Sequence, residues 1–242
     1  MIENRRVIVA LPAFNEQGSV SDVVGQVRQA VPGSQVVVVD DGSWDDTAER
    51  ARASGAITLV MPFNIGVGGA MRTAFLYAAR HGYEALVQVD ADGQHDPRHI
   101  TDILQALNGA DVVVGSRFAQ RDAEWVSRSR RLVMRMLSGL VSRITGTRID
   151  DATSGYRGAN RDAIELFAAH YPSEYLGDTI ESLVLASRAG LRITQVPVGM
   201  QPRQTGEPSH GPFRSGLFLG RALLAVCVAV SRPKSHTPKM GT

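Results

Sequence analysis

Short apolar runs built mostly from β-branched residues recur through the first half of the chain, each parted from the next by a helical stretch. The runs are 7–11, 36–40, 57–60, 85–89 and 111–115. Between them lie 19–30, 45–53, 68–81 and 97–107, and Ile100, Ile103, Leu104 and Leu107 have the spacing of one buried helix face. This alternation predicts an α/β domain, a mostly parallel Rossmann-like sheet with helices on both faces. Such sheets bind ligands outside the carboxyl ends of their strands. The polar motifs of this sequence fall there.

Past Gly115 the period changes. Val133, Met136, Leu137, Leu140, Val141 and Ile144 form an apolar stripe at helical spacing, and Arg128, Arg131 and Arg135 line another face continued by Ser138 and Ser142. A turn-rich segment at 150–160, a helix near 179–189 and a strand at 192–198 follow. Residues 201–212, with three prolines and two glycines, read as a loop. Arg214 and Arg221 stand two turns apart beside Leu217, Phe218, Leu223 and Leu224. That pattern suits a helix lying in a membrane interface, and equally one packed on the domain or on an integral membrane partner.

Composition narrows the field. With 43% hydrophobic residues in 242, the chain can bury a real core. The net charge of +2 carries no nucleic-acid signature. Lys234 and Lys239 are the only lysines, so nearly all the positive charge is arginine, whose planar fork grips phosphate in two places. A lone cysteine, Cys227, excludes an internal disulfide and fits a reducing compartment. The run at 7–11 is too short for a signal-peptide core, and no stretch reaches the ~20 apolar residues that span a bilayer.

The strand exits carry the chemistry. The fourth ends in Asp90-Ala91-Asp92-Gly93-Gln94, where two carboxylates flanking one residue either share a divalent cation such as Mg²⁺ or Mn²⁺ or serve as loop caps. The first ends in Pro12-Ala13-Phe14-Asn15-Glu16 and the second in Asp40-Asp41-Gly42-Ser43-Trp44-Asp45-Asp46-Thr47. Asp41 is suited to accept from a base or ribose, Asp45 or Asp46 to cap the next helix, and Phe14 to wall a base or fill the core. The glycines of 64–72 open a helix, where they serve either an anion or close packing.

Together and in this order, Pro-x-Phe-Asn-Glu, Asp-Asp-Gly-Ser-x-Asp, Asn-x-Gly-x-Gly and Asp-Ala-Asp-Gly-Gln-His resemble the family 2 inverting glycosyltransferases of the GT-A fold, and within them the polyprenyl- or dolichol-phosphate mannose synthase group. Marks of the second half agree: Gly115-Ser116-Arg117, Asp151-x-Thr153-Ser154-Gly155-Tyr156-Arg157, Glu181, Val196-Pro197-Val198 and Arg203-x-x-Gly206. The resemblance implies a catalytic domain at 1–212, with a nucleotide-binding half at 1–115 and an acceptor half at 116–212, and an amphipathic helix and tail at 213–242. It implies that Pro12, Phe14, Glu16, Val39 and Asp41 hold the nucleoside. Asp90, Asp92 and Gln94 would ligate Mg²⁺ or Mn²⁺, with Asp90 and Ala91 near the nucleotide. Arg117, Arg131 and Ser138 would meet the acceptor phosphate, and Arg203 would close over the donor diphosphate; Asp92, Arg117 and Arg203 would form the catalytic set. Two departures stand out: Met134 occupies a position where relatives often carry serine, and Pro208-Ser209-His210 stands where Ser-Lys is usual.

The implied reaction moves a sugar from GDP-mannose or a UDP-sugar to polyprenyl phosphate, at the cytoplasmic face of a membrane and with no transmembrane helix. A phosphate monoester, with its second pKa near ~6, is already a dianion and needs no strong base. The rival acceptor is a sugar or protein hydroxyl, which calls for a carboxylate base such as Glu181 or Asp178. A non-catalytic membrane adaptor with this fold is the other alternative.

Overall fold

The computed structural model describes residues 6–117, 128–172 and 178–201, and only the backbone of 128–134. Arg203, the loop from 202 and the C-terminal helix and tail lie outside the described residues, as does the side chain of Arg131.

Seven strands form one sheet in the order β3-β2-β1-β4-β6-β5-β7. They are β1 (Val7–Ala13), β2 (Gln35–Asp40), β3 (Ile57–Val60), β4 (Ala85–Gln88), β5 (Val112–Arg117), β6 (Arg157–Asn160) and β7 (Ile193–Val198). The helices are α1 (Val20–Ala30), α2 (Thr47–Ala53), α3 (Val67–Arg80), α4 (Ile100–Ala106), α5 (Arg128–Thr145), α6 (Arg161–His170) and α7 (Asp178–Arg188). All strand pairings are parallel except those of β6 with β4 and β5. Alternate residues of β1 and β2 enter opposite cores. Ile8, Ala10, Val37 and Val39 pack with α3, α6 and α7, whereas Val9, Leu11, Val36 and Val38 pack with α1 and α4. A strand buried on both faces must be apolar throughout, which is why its β-branched runs stand out.

Two elements differ from the sequence reading. The segment expected as turns ends in β6, and α6 follows directly. β6 reads Arg-Gly-Ala-Asn, with neither an apolar run nor alternation to announce it. Its Gly158 is required by packing, since a Cβ there would lie 2.4 Å from Ile103 Cγ2. Asn160 then ends the strand and caps α6, its Oδ1 accepting the Ala163 N–H at 3.1 Å. The expected helix at 97–107 is also divided. Pro97–His99 forms a 3₁₀ turn, because Asp96 accepts the Arg98 N–H at 3.0 Å and fixes a tight start ahead of α4.

Candidate active site

The exits of β1 and β2 are locked together by side chains. Asn15 adopts φ 57, the one non-glycine residue in the left-handed region among the described residues. Its N–H donates to Ser43 Oγ (2.9 Å), and its Oδ1 accepts the Trp44 N–H (3.1 Å). Glu16 N–H donates to Thr47 Oγ1 at 2.8 Å. The register sets Pro12 beside Val39 and Ala13 beside Asp40. Val39 is wholly buried in the core, so only its backbone can face a ligand. Phe14 is half-buried and meets the exposed Trp44 ring edge to face at 5.1 Å.

Asp41 is buried, and its two carboxylate oxygens accept the N–H groups of Ile65 (3.0 Å) and Gly66 (2.7 Å). Burial pushes its pKa up, against the pull of those two bonds. The anion at the glycine-rich start of α3 is therefore the protein's own carboxylate. Packing explains the glycines there: a Cβ on Gly69 would overlap Ile65 Cδ1 at 2.3 Å, and one on Gly42 would meet the backbone of Phe63 at 2.7 Å. The sequence left phosphate contact and packing level at this run. In the structure the run packs closely and receives the Asp41 carboxylate.

Beyond β4, the Asp90 side chain is 40% exposed. Asp92 is partly buried, and its Oδ1 accepts the Gln94 N–H at 3.0 Å across a turn in which Gly93 has φ 77. Gln94 in turn accepts the Gln201 N–H at its carbonyl (2.8 Å), and His95 bridges Met200. The last described residues before Arg203 are thus fastened to the Asp90–Gln94 loop. Ala91 is buried. Among the described residues no three His, Cys, Asp or Glu side chains converge as a metal cage. Two carboxylates on one short loop, one of them open to solvent, nonetheless fit a hard divalent ion that arrives with diphosphate oxygens to complete its shell.

Two strands away, Arg117 leaves β5 in a bidentate pair with Asp151. Its Nε and Nη2 donate to the two carboxylate oxygens, the latter over 2.9 Å, and Nη2 also reaches Thr153 Oγ1 at 3.0 Å. Burial favours the neutral form of each partner, but their mutual bonds and charge outweigh it. Asp151 is held below its usual range and Arg117 above. Ser138 on α5 donates to the Asp150 carbonyl (3.1 Å) and accepts the Ala152 N–H (3.5 Å). Its hydroxyl ties α5 to the turn that carries Asp151, so a structural role accounts for it.

The interior beneath this turn holds two residues that the sequence named without revealing their burial. Arg157 is buried and donates to the carbonyls of Ser154, Thr179 and Ala152 and to Ser182 Oγ, over 2.6–2.8 Å. Near it Asp178 is 4% exposed, and its Oδ2 has no hydrogen-bond partner. Burial pushes this carboxyl up to about 6, with the Arg157 charge opposing. Within the described residues it is buried, and the Asp90 carboxylate adds a smaller upward push, so it lies within electrostatic reach of the Asp90–Gln94 loop.

The comparisons with known proteins agree with this geometry. The family model "Glycosyl transferase family 2" matches residues 8–167. An undecaprenyl-phosphate mannosyltransferase of Micrococcus luteus is 34% identical, the match covering 91% of this chain and 92% of that protein. A polyprenol monophosphomannose synthase of Mycolicibacterium smegmatis is 33% identical over 88% of this chain and 85% of its own length. Among solved structures, glucosyl-3-phosphoglycerate synthase of Mycobacterium tuberculosis, crystallised with Mn²⁺, UDP and glucosyl-3-phosphoglycerate, superposes with a TM-score of 0.71. It is 24% identical and covers 96% of this chain and 82% of that one, a likeness of GT-A fold.

Proposed function

The chain belongs to glycosyl transferase family 2, and from that premise we propose that it moves a sugar from a nucleoside diphosphate donor to a polyprenyl phosphate. GDP-mannose ranks before a UDP-sugar, because the relatives at 34% and 33% identity are mannose transferases. The observation that carries the reading is the pairing of two charged devices at the carboxyl edge of one sheet. A partly exposed carboxylate, Asp90, stands beyond β4, and a carboxylate-braced guanidinium, Arg117, ends β5. In this proposal the work is done at the cytoplasmic face of the membrane that holds the polyprenyl phosphate. No described helix is long and apolar enough to cross one.

In this reading Pro12, Phe14, Glu16 and the backbone of Val39 cradle the nucleoside, with Asp41 fixing the neighbouring wall. Asp90, Asp92 and Gln94 hold Mg²⁺ or Mn²⁺, which when bound screens the charge that grows on the leaving diphosphate. Arg117 holds the acceptor phosphate in line with the anomeric carbon, and its bonds to Asp151 and Thr153 fix the orientation of the guanidinium. Arg131 on α5 and Arg203 beyond Gln201 supply further charge to the acceptor and the donor respectively. A phosphate oxygen bonds to the anomeric carbon as the bond to the diphosphate breaks, so the configuration inverts. The acceptor arrives as a dianion, so no side chain takes a proton.

The test is a panel of labelled nucleotide sugars incubated with polyprenyl phosphate and Mn²⁺, with label counted in the organic extract. Label in the organic phase with one donor is the expected result. Label appearing only on a water-soluble sugar or on protein overturns the choice of acceptor.

A further inference from the structure

The imidazole of His95 touches Asp90 twice. Its Nδ1 accepts the Asp90 backbone N–H at 3.0 Å. A ring nitrogen that accepts cannot carry the proton, so the hydrogen sits on Nε2. That Nε2 lies 3.5 Å from Asp90 Oδ2, a long contact between an N–H dipole and a carboxylate. The ring has nowhere else to go. It is 2% exposed and stacks on Tyr156 with centroids 4.6 Å apart and planes at 19°. Tyr156 is itself buried, its hydroxyl donating to the Asp96 carbonyl at 2.8 Å. On the other oxygen of Asp90, Gly155 leaves just enough room: a Cβ there would stand 3.3 Å from Oδ1.

One buried ring therefore fixes the backbone and biases the carboxylate of a residue whose side chain is 40% exposed. We propose that His95 is a positioning residue for Asp90, its Nε2–H turning the carboxylate toward the divalent ion that comes with the donor. This rests on the reading of Asp90 as a metal ligand. Outer partners of this kind matter because they remove the freedom a ligand must otherwise lose on binding. Their loss typically weakens metal affinity about 10- to 100-fold.

Two near-isosteric variants separate the two contacts. His95→Asn can offer an oxygen where Nδ1 accepts, but no donor that reaches the carboxylate. His95→Gln can place an amide N–H where Nε2 stands. Mn²⁺ binding is followed by electron paramagnetic resonance in the presence of GDP and, separately, UDP, alongside thermal melting. We expect His95→Asn to weaken Mn²⁺ retention by about 10- to 100-fold and His95→Gln to restore most of it. In an Asp90→Asn background, His95→Asn should cost no further affinity. Wild-type retention in His95→Asn overturns the inference, as does an equal loss in both variants that merely follows their melting temperatures. A wild type that holds no Mn²⁺ with either nucleotide overturns the donor-site reading, and the inference falls with it. Wild-type binding with an indifferent His95→Asn overturns the inference alone.

Discussion

Asp41 and Gly66 stand 25 positions apart in sequence, yet the Gly66 N–H donates to Asp41 Oδ2 over 2.7 Å. The contact joins the exit of β2 to the N-cap of α3 and closes one wall of the proposed nucleoside site. Asp41→Asn would set an amide donor against one of the two backbone donors it now receives. We expect a loss of about 1–3 kcal/mol in unfolding free energy, read by denaturant titration, together with weaker nucleotide binding. An unchanged midpoint would show that the two bonds contribute nothing net.

Asp178 makes the stability of the protein depend on mild acid. Its folded-state pKa of about 6 exceeds the ordinary carboxylate value of 3.8. Between those values the folded protein binds more protons than the unfolded chain. The contribution of this residue is therefore full below the lower value and disappears as pH rises through about 6. Roughly two pKa units correspond to about 3 kcal/mol. Asp178→Asn should flatten the fall in stability between pH 4 and 6, and melting curves at several pH values check it. Parallel profiles for the two proteins would refute the assignment.

Removal of the divalent ion should stop the reaction. With two carboxylates on the Asp90–Gln94 loop and no third acid converging among the described residues, loss of either leaves too few ligands. Asp92→Asn is expected to abolish turnover, and excess chelator to do the same to the wild type, reversibly on adding Mn²⁺. Full activity in chelator would remove the metal from the mechanism.

Arg117→Lys keeps the charge and loses the fork that meets Asp151 with two bonds. A lysine cannot reproduce that plane. The expected result is a rise of about tenfold in KM for polyprenyl phosphate, a cost near 1.4 kcal/mol, with nucleotide affinity unchanged. Calorimetry with GDP and UDP beside acceptor kinetics separates the two. Equal losses on both sides would place Arg117 with the donor.

What the sequence disclosed follows from which forces write themselves into local pattern. β1, β2, β4 and β5 are buried on both faces, so their β-branched runs could be seen without any tertiary knowledge. β6 escaped because its place is set by what lies across from it: Gly158 fits against Ile103, and Arg157 is satisfied by carbonyls scattered from 152 to 179. The motif residues at strand exits were legible because sheet topology gathers such ends. The double contact of His95 with Asp90 was not, since it depends on a ring orientation that Tyr156 imposes from 61 positions away. The glycines before α3 suit an anion or close packing, and the structure shows both: Asp41 supplies a carboxylate and Gly69 packs on Ile65.

The antiparallel strand β6 between β4 and β5 acts as a spacer of fixed width. Neighbouring strands lie about 4.8 Å apart, so the exits of β4 and β5 are held roughly 10 Å from one another by backbone hydrogen bonding alone. Asp90 follows one exit and Arg117 ends the other. That gauge is independent of side-chain identity and of loop length. In the proposed reaction it would allot about one sugar ring, with its departing and arriving oxygens, between the carboxylate proposed to attend the donor and the cation proposed to attend the acceptor. Substitutions can change which sugar or lipid is gripped, but a different separation would require a different sheet.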